Sequence, residues 1–562
     1  MKGCGFRLCD CPTASLRALK RKNQQNHTRT HTSYLRRALK ISLLAGVSAS
    51  TTSAPLSLSP PPRRPPLRHR TRPREVRARH SFFSAMSVPS VLVFVATAAA
   101  QSATRYETRW YEQTLDHFGF HNTSATWQHR YLYNDTFWGV RGPLPNQCRG
   151  PILFYTGNEG PITAFHASNG FMTEVLAPAF GALLIFAEER YYGASLPQGT
   201  SGRYDFLTTE QVLADYASLV GSLRAQLGAE SCPVIAFGGS YGGTLTTLFR
   251  LKYPHMVAGG LASSAPLGYY ALSGWEARNV TMTTWFEIVQ RTFNAARPGC
   301  YDELASAVEV ANATASSGGG PKVIQQIFGL CAPPGDLDAF VYWLTEALES
   351  IPQVDYPEAT GGLPANPVRA VCSLPTLGSS PLKALATVME WYYGKGPSGC
   401  IPNAINDQVD GGTPGDGPAN NSAWGYQSCT ETLHPFSTPA GAWRDYQFNL
   451  TALRELCQAY YGVSPRLGWL EMWSGGYAIA TDNLTSNLIW SNGRFDPWSG
   501  GGFLRSEDAV PGGAVFVMEQ TAHHQDLRAP SAADPPELVE VRKQEFTIIR
   551  SWIMQAGAQH RS

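Results

Sequence analysis

The residues with the clearest capacity for chemistry lie in Val234-Ile235-Ala236-Phe237-Gly238-Gly239-Ser240-Tyr241-Gly242-Gly243. A short apolar run leads straight into Gly-x-Ser-x-Gly. That pattern is a sharp strand-to-helix turn that lifts a serine hydroxyl above the end of a sheet. Glycines fit on both sides of Ser240 because such a turn crowds the backbone. The spacing predicts a helix from about Thr244, whose N-terminal dipole would face a developing oxyanion. The pentapeptide alone reads equally well as an ordinary Gly-rich loop. The buried strand before it and the helical run after it favour a nucleophile.

A serine nucleophile needs a base and an acid to orient that base. In this kind of sheet the chain order is Ser, then Asp or Glu, then His. Downstream, Asn487-Leu488-Ile489-Trp490-Ser491-Asn492-Gly493-Arg494-Phe495-Asp496 reads as an apolar strand ending in a turn, with Asp496 just past it. A second strand, Ala514 to Met518, precedes Thr521-Ala522-His523-His524. Ser240, Asp496 and His523 therefore stand in the required order on the required elements. By position alone, His523 and His524 compete for the role of base. An oxyanion needs two backbone donors: Tyr241, which follows the nucleophile, and Gly157 or Asn158, in the loop after an earlier strand.

The elements that must hold these groups are short apolar strands, such as Ile152 to Tyr155 and Leu183 to Phe186, typical of a parallel sheet buried on both faces. The expected class is α/β: an α/β-hydrolase fold with a large, disulfide-linked, mostly helical cap inserted before Asp496. Residues 106–269 and 466–562 would form the catalytic domain, and 270–465 the cap. A helix over about 536–554 would turn Leu538, Val541, Phe546, Ile549 and Ile553 to the sheet. In this fold the strand ending at Gly157 lies beside the strand ending at Ser240. Cys148 and Cys232 precede those two strands, so a disulfide between them is expected.

The net charge of +2 conceals an asymmetry. Residues 1–85 hold 18 Lys and Arg against 2 Asp and Glu, while the remainder holds 27 basic and 41 acidic residues. Arg63 to Arg79 is interleaved with proline and lacks aromatics for stacking on bases, so this tail reads as disordered and no nucleic-acid partner is expected. Residues 86–100 resemble a secretory signal peptide cleaved after about Ala100, too short for a membrane span. Met86 is the expected start, which would leave residues 1–85 outside the mature protein.

Eight of the 11 cysteines follow residue 100, enough for four disulfides in an oxidising compartment. No Cys-x-x-Cys spacing points to zinc, and no metal or cofactor is expected. Glycosylation sequons stand at Asn122, Asn134, Asn279, Asn312, Asn420, Asn449 and Asn483. Secretion or delivery to a lysosome or vacuole follows from these features.

Several motifs together resemble the serine exopeptidases related to lysosomal Pro-Xaa carboxypeptidase and dipeptidyl peptidase II. They are Phe154-Tyr155-Thr156-Gly157-Asn158-Glu159-Gly160, Arg190-Tyr191-Tyr192-Gly193, the Ser240 turn with Arg250-Leu251-Lys252-Tyr253-Pro254-His255, Asp496-Pro497-Trp498-Ser499-Gly500-Gly501-Gly502, and Ala522-His523-His524-Gln525-Asp526-Leu527-Arg528. The resemblance spans roughly residues 106 to 555. It implies that His523 is the base, that Trp498 walls a proline pocket, and that peptides with proline (or alanine) near one terminus are the substrates. It admits a homodimer. Two positions depart from the family pattern: Glu189 stands where the family has His, and Thr244 where it often has Met.

Which terminus is recognised stays open. A free amine calls for a carboxylate, and a free carboxylate calls for Arg, Lys or backbone donors. The stretch between Lys395 and Arg444 contains no Lys or Arg but holds Asp407, Asp410, Asp416 and Glu431. With Glu159 in the oxyanion loop, this leans toward amine recognition and release of N-terminal dipeptides. The alternative is a Pro-Xaa carboxypeptidase, and a more distant one a secreted esterase, although no long apolar lid helix is evident. A catalytically dead binding protein would have lost a member of the Ser-Asp-His set, and none is lost here.

Overall fold

The computed structural model describes residues 105–559 apart from 121–123, 145–146, 198–202, 271–274, 276–277 and 403–417. The basic tail 1–85, the apolar run 86–100, Asn122, Asp407, Asp410, Asp416 and the side chain of Asn420 lie outside the described residues.

Eight strands form one sheet: β1 (Glu107–Thr114), β2 (Thr126–Asn134), β3 (Ile152–Thr156), β4 (Leu183–Ala187), β5 (Val234–Gly239), β6 (Gly259–Ser263), β7 (Leu488–Gly493) and β8 (Ala514–Met518). Their spatial order is β1-β2-β4-β3-β5-β6-β7-β8. β1 and β2 make an antiparallel edge, and β2 runs antiparallel to β4. All later neighbours are parallel, as expected where helices cross over between strands. This mostly parallel sheet clad in helices is an α/β-hydrolase fold.

The period of two explains why β3 reads as a continuous apolar run. Ile152 and Phe154 enter one helical layer, with Val212, Leu219 and Leu248. Leu153 and Tyr155 enter the opposite layer, with Ile162, Leu176, Ile549 and Ile553. The C-terminal helix Pro536–Gln559 closes the second layer. Leu538, Val541, Ile549 and Ile553 are buried and Phe546 is partly buried. No helix among the described residues is long and apolar enough to cross a membrane.

Between β6 and β7 the chain inserts a helical region. Six helices from Thr284–Ala296 to Pro381–Tyr393 build a core of their own around Phe293, Leu304, Leu344, Leu348 and Val388. Disulfides Cys300–Cys372 and Cys331–Cys400 staple it, and Cys429–Cys457 ties the helices that follow. The helix Pro418–Thr430 packs elsewhere: its Ala423 joins Tyr191, Tyr192, Tyr204 and Leu207 on the sheet side.

Among the sequons, Asn279, Asn312, Asn449 and Asn483 are exposed. Asn134 is not. It ends β2 with only 6% exposure, and its Oδ1 accepts from Thr136 N–H at 2.9 Å. A buried amide at a strand end gives no room for a glycan, which corrects that position.

Cys148 and Cys232 form a disulfide just ahead of β3 and β5, closing an 84-residue separation. Loop closure of that length constrains the unfolded chain most. Replacing both cysteines with serine should cost about 2–5 kcal/mol in chemical denaturation, while an unchanged unfolding midpoint would show that packing alone holds the strand starts.

Candidate active site

β5 ends at Gly239, and Ser240 takes φ 59° and ψ −130° before the helix Tyr241–Lys252 begins. A non-glycine residue held there stores about 1–3 kcal/mol of strain. The surroundings impose it. Ser240 N–H donates to Ser263 O on β6 at 2.9 Å, and Gly243 and Thr244 N–H donate back to Ser240 O at 2.9 and 3.1 Å. A Cβ on Gly238 would lie 2.1 Å from Gly242 O, and one on Gly242 would lie 3.0 Å from Thr156 O. Thr156 Oγ1 lies 2.8 Å from Gly242 O and 2.8 Å from Thr246 Oγ1, pinning β3 to the turn. The helix starts at Tyr241, three residues earlier than the spacing predicts. The turn is completed within Ser240 itself, and the two helical glycines are there for close packing.

Asp496 is fully buried after β7. Its Oδ1 accepts from Trp498 N–H at 3.0 Å, and its Oδ2 lies 2.7 Å from His523 Nδ1. His523 Nε2 is buried and has no hydrogen-bond partner among the described residues. The inserted helical region also clamps this histidine. His523 N–H donates to Gln353 O at 3.0 Å, Tyr356 OH donates to His523 O at 3.1 Å, and Trp498 Nε1–H donates to Gln353 Oε1 at 3.0 Å. His524 sits differently. Its N–H donates to Ser264 Oγ at 2.8 Å, and its ring packs where a Gly239 side chain would otherwise be. Burial, and then the neighbouring His523, push its pKa well below the ordinary value, so it stays neutral.

The histidine loop has its own support. Arg542 donates to Asp526 O at 2.8 Å, Gln525 O at 2.8 Å and Arg528 O at 3.0 Å. Asp526 Oδ1 accepts from Ser263 Oγ at 2.5 Å. Beside it lies Glu545, also fully buried. Burial, and then Asp526, push the Glu545 carboxyl well above the usual range.

A cavity of about 290 Å³ opens on Ser240. One wall is aromatic: Trp285 stacks on Phe436 with centroids 5.9 Å apart, and Trp498 meets His434 at 5.2 Å and Tyr269 at 6.1 Å. Glu159 also lines it. Burial raises the Glu159 carboxyl, opposed by Asn158, whose Nδ2–H donates to it at 2.7 Å. Behind Tyr241, Gln427 Nε2–H reaches both Tyr241 OH and Glu189 Oε1 at 3.0 Å, and Tyr192 OH donates to Gln427 Oε1. Burial, and then Glu159, push the Glu189 carboxyl well above the usual range. Thr244 is buried within the helix after the turn.

Glu431 is not at the cavity: it accepts from Thr209 N–H at 2.7 Å and from Arg466 at 2.6 Å. Trp285, Gln353, Phe436, Glu346 and Arg444 are lining residues that sequence reasoning missed, since no motif marks them. The one available signal was Arg444, the first cation after a long stretch without any. No cluster among the described residues brings together three or more His, Cys, Asp or Glu able to hold a metal ion.

A family model described as serine carboxypeptidase S28 matches residues 113–545. Lysosomal Pro-X carboxypeptidase from Homo sapiens is 36% identical over 487 residues, covering 83% of this chain and 92% of that protein. The protein of the same name from Mus musculus is 36% identical over 470 residues, covering 80% and 90%. Thymus-specific serine protease from Homo sapiens is 26% identical over 483 residues, covering 80% and 87%.

Glu545 gives the site a direction of pH dependence. The unfolded chain releases this proton near the ordinary value of 4.5, whereas the folded chain keeps it. Unfolding therefore releases a proton above that pH, and stability falls as pH rises through the window. The melting temperature should drop from acidic to neutral pH, and Glu545→Gln should flatten the drop. A variant curve parallel to the wild type would remove Glu545 as its cause.

Proposed function

The chain belongs to the serine carboxypeptidase S28 family and is a serine exopeptidase, and on that premise we propose that it cleaves on the carboxyl side of proline (or alanine) near a peptide terminus. The carrying observation is the strained Ser240 lining an aromatic cavity, together with a buried histidine whose Nδ1 lies 2.7 Å from Asp496 and whose Nε2 has no hydrogen-bond partner among the described residues.

Ser240 Oγ attacks the scissile carbonyl while His523 Nε2 takes its proton. Asp496 fixes the ring and stabilises the imidazolium. The oxyanion is received by the Tyr241 N–H at the helix start and by one loop donor. Gly157 commits its N–H to Ala187 O at 3.0 Å, so Asn158 is the loop donor left for substrate. His523 then protonates the leaving amine, and water, deprotonated by the same nitrogen, releases the acyl group. The aromatic wall of Trp285, Phe436 and Trp498 suits a proline ring, which offers apolar faces and no N–H.

Two readings of the terminus have support. The relatives named as Pro-X carboxypeptidases, together with Arg444 in the cavity, favour a Pro-Xaa carboxypeptidase. Release of N-terminal dipeptides is favoured by Glu159 in the same cavity. Its other supports are weaker, because Glu431 is tied to Arg466 and the Asp407–Asp410 stretch lies outside the described residues. Four disulfides support passage through an oxidising compartment, and we propose delivery to a lysosome or vacuole or to the exterior.

The test offers two fluorogenic peptides at acidic pH, one blocked at its amine with a free Pro-Xaa carboxylate, the other a free-amine Xaa-Pro. Turnover of the first alone is expected, and Ser240→Ala should lower kcat by roughly a million-fold. Turnover of the second alone would establish the dipeptidyl reading. Equal activity of Ser240→Ala would dismiss both.

A further inference from the structure

The Ser240 cavity is charged as well as aromatic. Arg444 lines it, together with Glu346 and Glu349 from the helix Leu337–Ser350. Glu349 is fully committed. Its Oε1 accepts from Trp443 Nε1–H and Arg444 Nε–H, both at 2.9 Å, and its Oε2 accepts from Arg444 Nη2–H at 2.7 Å. These bonds use one edge of the guanidinium and leave Nη1 outside them. The rings of Phe286, Tyr342 and Tyr446 confine the group at 5.5, 5.1 and 5.5 Å. A guanidinium fixed in this way loses little freedom on meeting a ligand.

Glu346 stands one helical turn before Glu349, and its Oε1 accepts from Ser350 Oγ at 3.3 Å. Burial, and then Glu349, push its carboxyl up to about 7. The charged and titratable groups around it are Glu349, Arg444, Tyr342, Tyr392 and Tyr393. Below neutrality Glu346 is therefore an O–H donor lining the same cavity as a pinned cation.

We propose that the Arg444 guanidinium and the Glu346 carboxyl group together receive the free α-carboxylate of the substrate. This rests on the carboxypeptidase reading and adds to it the residues that would enforce it. A carboxylate at this spot gains a charge-assisted hydrogen bond from Nη1 and a second from the Glu346 O–H. A peptide ending in an amide lacks the negative charge that the guanidinium would meet. Once Glu346 ionises, the donor becomes a like charge, so carboxylate binding weakens as pH rises past about 7.

The experiment compares a blocked Pro-Xaa peptide with its C-terminal amide, in the wild type, Arg444→Lys and Glu346→Gln. The wild type should prefer the carboxylate. Arg444→Lys loses the planar fork that holds Glu349 along one edge while presenting Nη1, and should cut that preference roughly 10- to 100-fold, mostly through KM. In the wild type, KM for the carboxylate should climb above neutrality, whereas Glu346→Gln, a permanent N–H donor, should keep it flat. Equal turnover of acid and amide by the wild type would overturn the assignment together with the need for a free carboxylate. An unchanged preference in Arg444→Lys would overturn the assignment alone. If Arg444→Lys does not fold, a KM in Glu346→Gln that still climbs with pH overturns it. Cleavage of free-amine Xaa-Pro alone would instead remove the reading on which it stands.

Discussion

The left-handed backbone of Ser240 is the constraint around which the molecule is arranged. An isolated chain would relax it. Here it persists because β6 receives the Ser240 N–H, β3 is pinned to the turn through Thr156, and the following helix takes the Ser240 carbonyl as its first acceptor. Each partner comes from a different element, so no single loop movement can release the strain. The Ser240 side chain is thus positioned by the geometry of the sheet.

His523 is positioned by a second principle. Asp496 and the histidine loop belong to the sheet, whereas Gln353 and Tyr356, which grip the backbone of His523, belong to the inserted region. On the other side of Ser240, Gln427 links Tyr241 to Glu189. The inserted helices are therefore part of the catalytic frame as well as a roof. Burial disfavours the charged forms of Glu189 and His524, raising the one pKa and lowering the other.

The turn, the strands and the Ser-Asp-His order were legible in the sequence because each depends on local spacing and backbone sterics. The choice between His523 and His524 was not, since it depends on a contact with Asp496 across 27 positions. Asn134 satisfied a three-residue pattern, but burial is a property of the sheet and no tripeptide encodes it. Glu431 had the right charge in the right segment, and an ion pair with Arg466 turned it away from the cavity. The aromatic and charged walls were illegible for the same reason: helices of the insertion converge on Ser240 only through their own core.

The pairing of β6 with β7 joins residues near 261 to residues near 489. During synthesis, the strand that carries Ser263 must therefore wait with one edge bare until more than 200 further residues have emerged. Closing so large a loop is slow, and an unpaired parallel edge is open to mispairing.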